Sequence, residues 1–447
     1  MPEPDPGPAF PRLHIRPRWG WLNDPNGLVR VDGTYHVFFQ HNPDEPVHGH
    51  IHWGHASSTD LLSWTEHPVA LTPQPGTPDA AGCWSGCVTV DDETPTAVFT
   101  AVPDHAWNAG VLLARSDRTL LDWTPDEQLV VGPAAPVDVA EIRDPFVFHA
   151  HGHRYVLQGA GSRHGRPQLL LWAADDLEHW VDLGALLTLD DPVAAVVAEA
   201  NIWECPNLVR VPSEGSAETG SAGTGPAETG PAPAGERWVL LVSLWRWVDE
   251  LHELAGVRYL VGDLQPDGAG LRFVAESGGV LDDGPAFYAP QVLADDGRVL
   301  LWGWAWEVGR SENQVRDAGW AGVLTFPREL FVTDGVLGSR PARELEALRT
   351  GALDATPGEP LDVLAFELRS VGDARLRLLD DGRELFALDV GGSAAAPTTV
   401  LVDGSIVELF RGGATRTERA YPTVSSHWQL DADPASVELW TLAVPAA

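Results

Sequence analysis

A spacing of about sixty residues recurs along this chain and restricts its possible folds more than any other feature. Asp24 and Asp144 each precede a proline, and Glu204 lies one residue short of another, with intervals of 120 and 60 residues between them. Tryptophans with no obvious chemistry keep the same interval, in Asp60-Leu-Leu-Ser-Trp64, Leu120-Leu-Asp-Trp123 and Asp176-Leu-Glu-His-Trp180. Hairpin patterns run between these markers, such as Leu28-Val-Arg-Val31, the turn Asp32-Gly33, then Thr34-Tyr-His-Val-Phe-Phe39. Short strands with Asp-Gly turns at a fixed interval describe a β-propeller, each blade a four-stranded antiparallel sheet. Stepping sixty residues from the acids reaches Ser85 and, with the segment 212–236 set aside, Tyr288. That segment is rich in Gly, Ala, Ser, Thr, Pro and Glu and reads as a flexible insertion. The expectation is a tail over 1–12 and five blades over 13–337.

Innermost strands of a propeller run along its axis, so equivalent strand starts converge on one mouth. Asp24, Asp144 and Glu204 are therefore expected at the same place in three copies, meeting in one pocket. Acids gathered without cationic partners repel one another, and at least one takes a raised pKa.

Beyond the repeats, Pro341 to Arg349 reads as a helix with Leu345 and Leu348 on one face, inside a linker spanning 338–354. Residues 355–447 carry further strand-like runs, among them Leu361-Asp-Val-Leu-Ala-Phe366, Ile406-Val-Glu-Leu-Phe410 and Ser436-Val-Glu-Leu-Trp-Thr441. These read as a β-sandwich, making the whole chain all-β.

A net charge of −35 weighs against nucleic acid and anionic membranes as partners. All 29 basic residues are arginine, which excludes Schiff-base chemistry and a Walker-type phosphate loop. Cys83, Cys87 and Cys205 cannot all pair, and residues four apart on one strand, as Cys83 and Cys87 are, lie too far apart for a disulfide. The first residues lack the basic and apolar regions of a signal peptide, and no apolar run reaches eighteen residues, so the expected compartment is the cytoplasm.

The ordered motifs of the chain resemble glycoside hydrolase family 32, which comprises invertases, levanases, inulinases and sucrose-6-phosphate hydrolases. They are His14-x-Arg-Pro-x-x-Gly-Trp-Leu-Asn-Asp-Pro-Asn-Gly27, Tyr35-His-Val-Phe-Phe-Gln-His-Asn-Pro43, Trp53-Gly-His-Ala-Ser-Ser-Thr-Asp-Leu61, Trp84-Ser-Gly86, Arg143-Asp-Pro145 and Glu204-Cys-Pro206. Phe287-Tyr-Ala-Pro-Gln291, Gly319-Trp-Ala-Gly322, Pro327-Arg-Glu-Leu330 and Val402-Asp-Gly-Ser-Ile-Val-Glu-Leu-Phe410 extend the likeness over nearly the whole chain. The resemblance implies a five-bladed propeller with a C-terminal β-sandwich and a retaining β-fructosidase that needs no cofactor or metal. It implies Asp24 as nucleophile, Glu204 as general acid/base and Asp144 as transition-state stabiliser. It also implies that Trp21, Asn23, Gln40, Trp84, Ser85, Arg143, Tyr288 and Trp304 line a fructose pocket. Sucrose or short fructo-oligosaccharides are the expected substrates, with fructans or fructosyl transfer as alternatives; the oligomeric state stays open.

Departures from the family pattern gather, on this reading, around the pocket. Val47-His48-Gly49 stands where a tryptophan is common, so His48 would give the substrate a polar wall. Asp282-Asp283-Gly284, Ala286 and Asn207 are the others. A rival reading takes His48-Gly-His50-Ile-His52, with His55, as one face of a strand that binds a transition metal. Another leaves a sugar-binding protein without turnover.

Overall fold

The computed structural model describes residues 6–91, 93–105, 108–133, 139–215, 235–249, 251–354 and 356–445, and they are nearly all-β. Most of the Gly/Ser/Thr-rich segment, 216–234, lies outside the described residues; the strands flanking it end at Pro212 and begin at Glu236.

Five antiparallel sheets follow one another in chain order. Sheet 1 holds Gly20–Val31, Thr34–Asn42, His52–Ser58 and Thr65–Leu71; sheet 2 holds Gly82–Asp91, Thr94–Val102, Gly110–Ser116 and Trp123–Pro125. Sheet 3 holds Val139–Ala150, His153–Ser162, Pro167–Ala173 and Val181–Thr188, and sheet 4 holds Ile202–Pro212, Glu236–Val248, Leu251–Asp267 and Gly270–Val280. Sheet 5 is built from Phe287–Asp295, Arg298–Ala305, Arg328–Thr333 and Val336–Pro341. The first strand of each sheet packs against the first strands of its two neighbours, and that of sheet 5 returns to that of sheet 1. Trp320–Ala321, late in the series, pairs in parallel with Gly20 and Trp21 at its beginning.

Both faces of these sheets are covered, which is why their strands read as apolar runs rather than strict alternations. Phe38 and Trp53 meet Val88, Phe99 and Leu112 between sheets 1 and 2, and Val98 and Leu113 meet Val156 and Trp172 between sheets 2 and 3. Leu157 and Leu171 meet Leu208, Leu240 and Leu260 at the next seam. The recurring tryptophans close the outer turns: the Trp123 and Trp180 ring N–H groups donate to the carbonyls of Leu120 and Leu177, at 3.0 and 2.8 Å.

One irregularity repeats in all five first strands. Two residues oppose a single residue of the second strand at Asn23-Asp24, Trp84-Ser85, Asp144-Pro145, Cys205-Pro206 and Ala289-Pro290. Such a bulge bends the strand and re-aims its side chains. Asp144, Cys205 and Ala289 sit at φ of 57°, 45° and 45°, a strained region for residues with a Cβ. The expectation of one acid position in three copies is corrected by this register. Glu204 is the last paired residue before its bulge, Asp144 the first bulge residue and Asp24 the second.

Residues 349–442 form two more sheets, one of six strands from Arg349–Leu353 to Val437–Leu442, the other of Pro360–Leu361, Ala374–Asp380, Arg383–Val390 and Ser426–Ala432. The helix expected at Pro341–Arg349 is instead a 3-10 turn at Arg343–Leu348, because Pro341 still belongs to a strand and Arg349 begins the next. Leu345 and Leu348 are buried, as the pattern required.

A buried ionic network joins the two regions. Arg328 of sheet 5 donates to Asp282 at 2.8 Å, to Glu408 at 2.6 Å and to Thr417 at 2.7 Å. His14 bridges Asp403 and Glu408 at 2.8 and 3.1 Å. Burial alone would lower the His14 pKa, but its two carboxylate partners raise it. Arg328→Met strands two carboxylates in a site where side chains are about 1% exposed or less, and is expected to cost about 3–5 kcal/mol. Chemical denaturation would measure it, and a loss below about 1 kcal/mol would contradict this account of the network.

Candidate active site

The shared bulges gather the predicted residues at the mouth where the first strands begin. Asp24 receives hydrogen bonds from Asn23 Nδ2 at 3.0 Å, Gln40 Nε2 at 3.0 Å and Ser85 Oγ at 2.6 Å. Gln40 also donates to Ser85 Oγ. Asn23 is held in turn by the Trp21 ring N–H at 2.7 Å, which fixes its amide nitrogen toward Asp24.

Asp144 is reached from the neighbouring sheets. Its own N–H donates to Thr100 Oγ1 at 2.8 Å, while the Cys205 N–H donates to its Oδ2 at 2.9 Å. The Cys205 thiol spans Asp24 at 3.4 Å and Asp144 at 3.5 Å, so residues of sheets 1, 3 and 4 meet through one sulfur. Glu204 accepts from the Tyr288 hydroxyl at 2.8 Å and faces Arg143 at 3.5 Å. Arg143 also pairs with Glu141 and lies 6.0 Å from the Trp84 ring.

Electrostatically, Arg143 is the cation that faces the gathered acids. Burial is the main cause that lifts Glu204 to about 7; Arg143 opposes it, the negative charge of Asp144 adds to it, the Tyr288 hydrogen bond opposes it, and Asp24 adds again. Asp144 is raised to about 6, first by burial, against the pull of Arg143. Burial also raises Asp24, although the Ser85, Asn23 and Cys205 donors hold it back. The Glu204 side chain keeps 13% of its surface exposed, so a proton on it remains reachable from the mouth.

His48 stands at the rim, edge-on to Trp21 at 6.1 Å and to Trp84 at 6.2 Å, and Trp304 packs 5.5 Å from Trp21. All twelve residues singled out in the sequence thus come together. Thr100 was missed, yet the period marks it: it opposes its bulge as Gln40 does, sixty residues earlier. A cavity of about 430 Å³ lies away from the acids, between the N-terminal segment and sheet 1, lined by residues such as His14, Arg16 and Trp64.

Three of the sequence departures make scaffold contacts. Asp282 to Ala286 hydrogen-bonds to Thr415 and Thr417 of the six-stranded sheet. Asn207 ties sheet 4 to sheet 5 through Pro290 and Val292. The histidine face does not form either. His50 has φ 47°, the strand starts only at His52, and His55 turns away to His36 at 2.9 Å. Among the described residues no group of three or more metal-ligating side chains converges.

The model of the glycosyl hydrolases family 32 N-terminal domain matches residues 14–341. The raffinose invertase of Escherichia coli is 33% identical over 356 residues, covering 78% of this chain and 68% of that protein. The sucrose-6-phosphate hydrolase of the same organism is 31% identical over 350 residues, covering 76% and 66%. The matched region thus spans about two thirds of those relatives' own length. Among solved structures, the sucrose-6-phosphate hydrolase of Lactobacillus gasseri superposes with a TM-score of 0.79 at 23% identity, covering 98% of this chain and 94% of that one. The GH32 beta-fructofuranosidase BmSUC1 of Bombyx mori gives 0.77 at 24%, covering 98% and 95%.

Proposed function

The chain belongs to glycosyl hydrolase family 32, and from that premise we propose that it is a retaining β-fructofuranosidase acting on sucrose and short β-fructosides. The five cyclically packed sheets are read as the blades of a five-bladed propeller over 13–337, and the two later sheets as a β-sandwich over 355–447. The observation that carries the reading is the one-residue stagger of the acids along a common bulge. Each step along a strand is roughly 3 Å, so Glu204 lies nearest the mouth, Asp144 below it and Asp24 deepest. A leaving group departs toward the mouth, where its proton donor belongs, and the nucleophile attacks from beneath.

In the first step ionised Asp24 attacks the anomeric carbon while Glu204 passes its proton to the leaving oxygen. A fructosyl ester on Asp24 results. Glu204 then takes a proton from water as that water attacks the same carbon, freeing Asp24 with the β configuration kept. Asp144 hydrogen-bonds the fructosyl hydroxyls, and Arg143 limits the repulsion that three acids would otherwise generate. Trp21, Trp84, Trp304 and His48 wall the ring. No cofactor enters this scheme. The expected setting is cytoplasmic; among the described residues, no helix is long and apolar enough to cross a membrane.

Incubation with sucrose, inulin, levan and short fructo-oligosaccharides tests the proposal through released fructose, and no release from any of the four would end it. The pH profile follows from the burial of the acids. Glu204 must be protonated for the first step, so kcat/KM is expected to fall as pH rises through about 7. The acid limb belongs to Asp24, which must be ionised, and lies above the ordinary aspartate range. A profile still flat at pH 9 would remove Glu204 as the acid.

A further inference from the structure

Arg143 is shared between two carboxylates, and only one of them, Glu204, handles the proton of the reaction. Glu141 precedes Arg143 by two residues on the first strand of sheet 3, so both side chains stand on one face. Glycines oppose them on the second strand, Gly161 across from Glu141 and Gly159 across from Arg143. Their lack of side chains lets the first strand of sheet 4 lie against that face: a Cβ on Gly159 would come 2.1 Å from the carbonyl oxygen of Trp203, the residue before Glu204. This approach brings Glu204 to Arg143. Glu141, earlier on its strand, stays on the mouth side of both.

The two contacts differ in kind. Arg143 Nη2 donates directly to Glu141 Oε2, whereas Nη1 stops 3.5 Å from Glu204 Oε1. Charge-assisted N–H···O bonds close to about 2.7–2.9 Å, so the contact with Glu204 is an ion pair short of a full hydrogen bond. The other oxygen of Glu204 accepts from the Tyr288 hydroxyl at 2.8 Å, which leaves Oε1 as the seat for the proton. A guanidinium drawn fully onto Oε1 would favour the ionised acid and empty that seat. The remaining titratable groups that face Glu204 are Asp144 and Asp24, which favour its protonated form, and Cys205, whose thiol burial keeps neutral. Those around Arg143 are Glu204, Glu141, Asp144 and Tyr288, with the Trp84 ring 6.0 Å away.

We propose that Glu141 is a positioning residue that holds Arg143 back from Glu204, so that the acid keeps its proton for the leaving oxygen at neutral pH. Two carboxylates compete for one guanidinium. The Glu141 side chain is 26% exposed against 13% for Glu204, which makes it the less costly of the two to keep ionised. It occupies one arm of the guanidinium, and its own negative charge acts on Glu204 in the same direction. This role rests on the β-fructofuranosidase reading and adds to it the group that sets the working pH of the acid.

The test is the pH profile of kcat/KM on sucrose in the full chain, which reports the acid of the free enzyme. Glu141→Gln keeps the shape of the side chain and gives up its charge, so Arg143 turns to Glu204 and the alkaline limb is expected about one pH unit below that of the wild type. Glu141→Ala should move the limb the same way. Glu141→Asp, which keeps the charge, should leave it closer to the wild-type position than to that of the glutamine variant. A limb that stays in place or rises in Glu141→Gln and Glu141→Ala overturns the role whatever happens to the rate, because a merely structural glutamate would lower the rate without moving the limb. A Glu141→Asp limb that coincides with that of Glu141→Gln overturns it as well. A wild-type profile without an alkaline limb would instead remove Glu204 as the acid, and no turnover by the wild type at any pH would sink the fructosidase reading on sucrose.

Discussion

Asp24→Asn is expected to lower kcat on sucrose by about 10⁴-fold or more, the scale on which loss of a covalent nucleophile acts. An amide cannot form the fructosyl ester, while the variant keeps the shape of the site, so binding should survive and turnover should not. The hydrogen bonds sharpen the expectation. Oδ2 of Asp24 accepts from Gln40, Ser85 and Cys205, whereas Oδ1 accepts from Asn23 alone. The new amide nitrogen therefore settles toward Asn23, where it meets another donor, because Asn23 cannot rotate without losing the Trp21 ring N–H. One mismatched contact of this kind costs about 1 kcal/mol. An opposite term offsets it. The raised pKa of Asp24 means that the folded protein holds this proton more tightly than the unfolded chain does. Ionisation thus destabilises the fold once the pH exceeds the folded pKa, and the neutral amide is free of that penalty. Thermal unfolding should shift little as a result, and fructose release above a hundredth of the wild-type rate would deny Asp24 its role.

Removing the acid/base should give the second-largest loss, with a signature of its own. Glu204→Gln is expected to reduce kcat/KM on sucrose roughly 10³-fold, near the middle of the range for general acid–base catalysis. Glu204→Ala should keep some activity on an aryl β-fructofuranoside, whose leaving group needs no proton, and stall at the ester on Asp24. Azide fits where the carboxylate was and needs no base: it attacks the anomeric carbon, the Asp24 ester bond breaks, and β-fructosyl azide leaves. Formation of that product with a rate that rises with azide concentration is the expected result. A rate indifferent to azide would argue that Glu204 does not activate water.

Much of this site is written locally in the chain, which is why it was legible. The bulge of each first strand is encoded by the residue type at the bend: proline follows Asp24, Asp144, Cys205 and Ala289, and Gly86 follows Ser85, where a Cβ would come 2.1 Å from the Val98 carbonyl. A period in sequence therefore became a ring of equivalent bends. What stayed hidden depends on partners far away in the chain. Arg143 reads as a sugar contact until sheets 3 and 4 bring it to Glu204. Asp282 reads as a pocket residue until Arg328 and Thr417 claim it. The stagger of the acids was equally invisible, since the intervals of 120 and 60 residues disguise a register set by strand pairing. His50 misled for a local reason: its left-handed backbone broke the face that alternation implied.

The parallel pairing of Gly20 and Trp21 with Trp320 and Ala321 has a consequence for how the protein is made. Those partners leave the ribosome three hundred residues apart, which at about 5–20 residues per second is a delay of roughly 15–60 s. Throughout that wait the nascent chain carries Trp21 and Asp24 on a strand whose parallel neighbour has not been synthesised. The enzyme can complete its first sheet only near the end of translation, and chaperones have that interval in which to guard the unfinished edge.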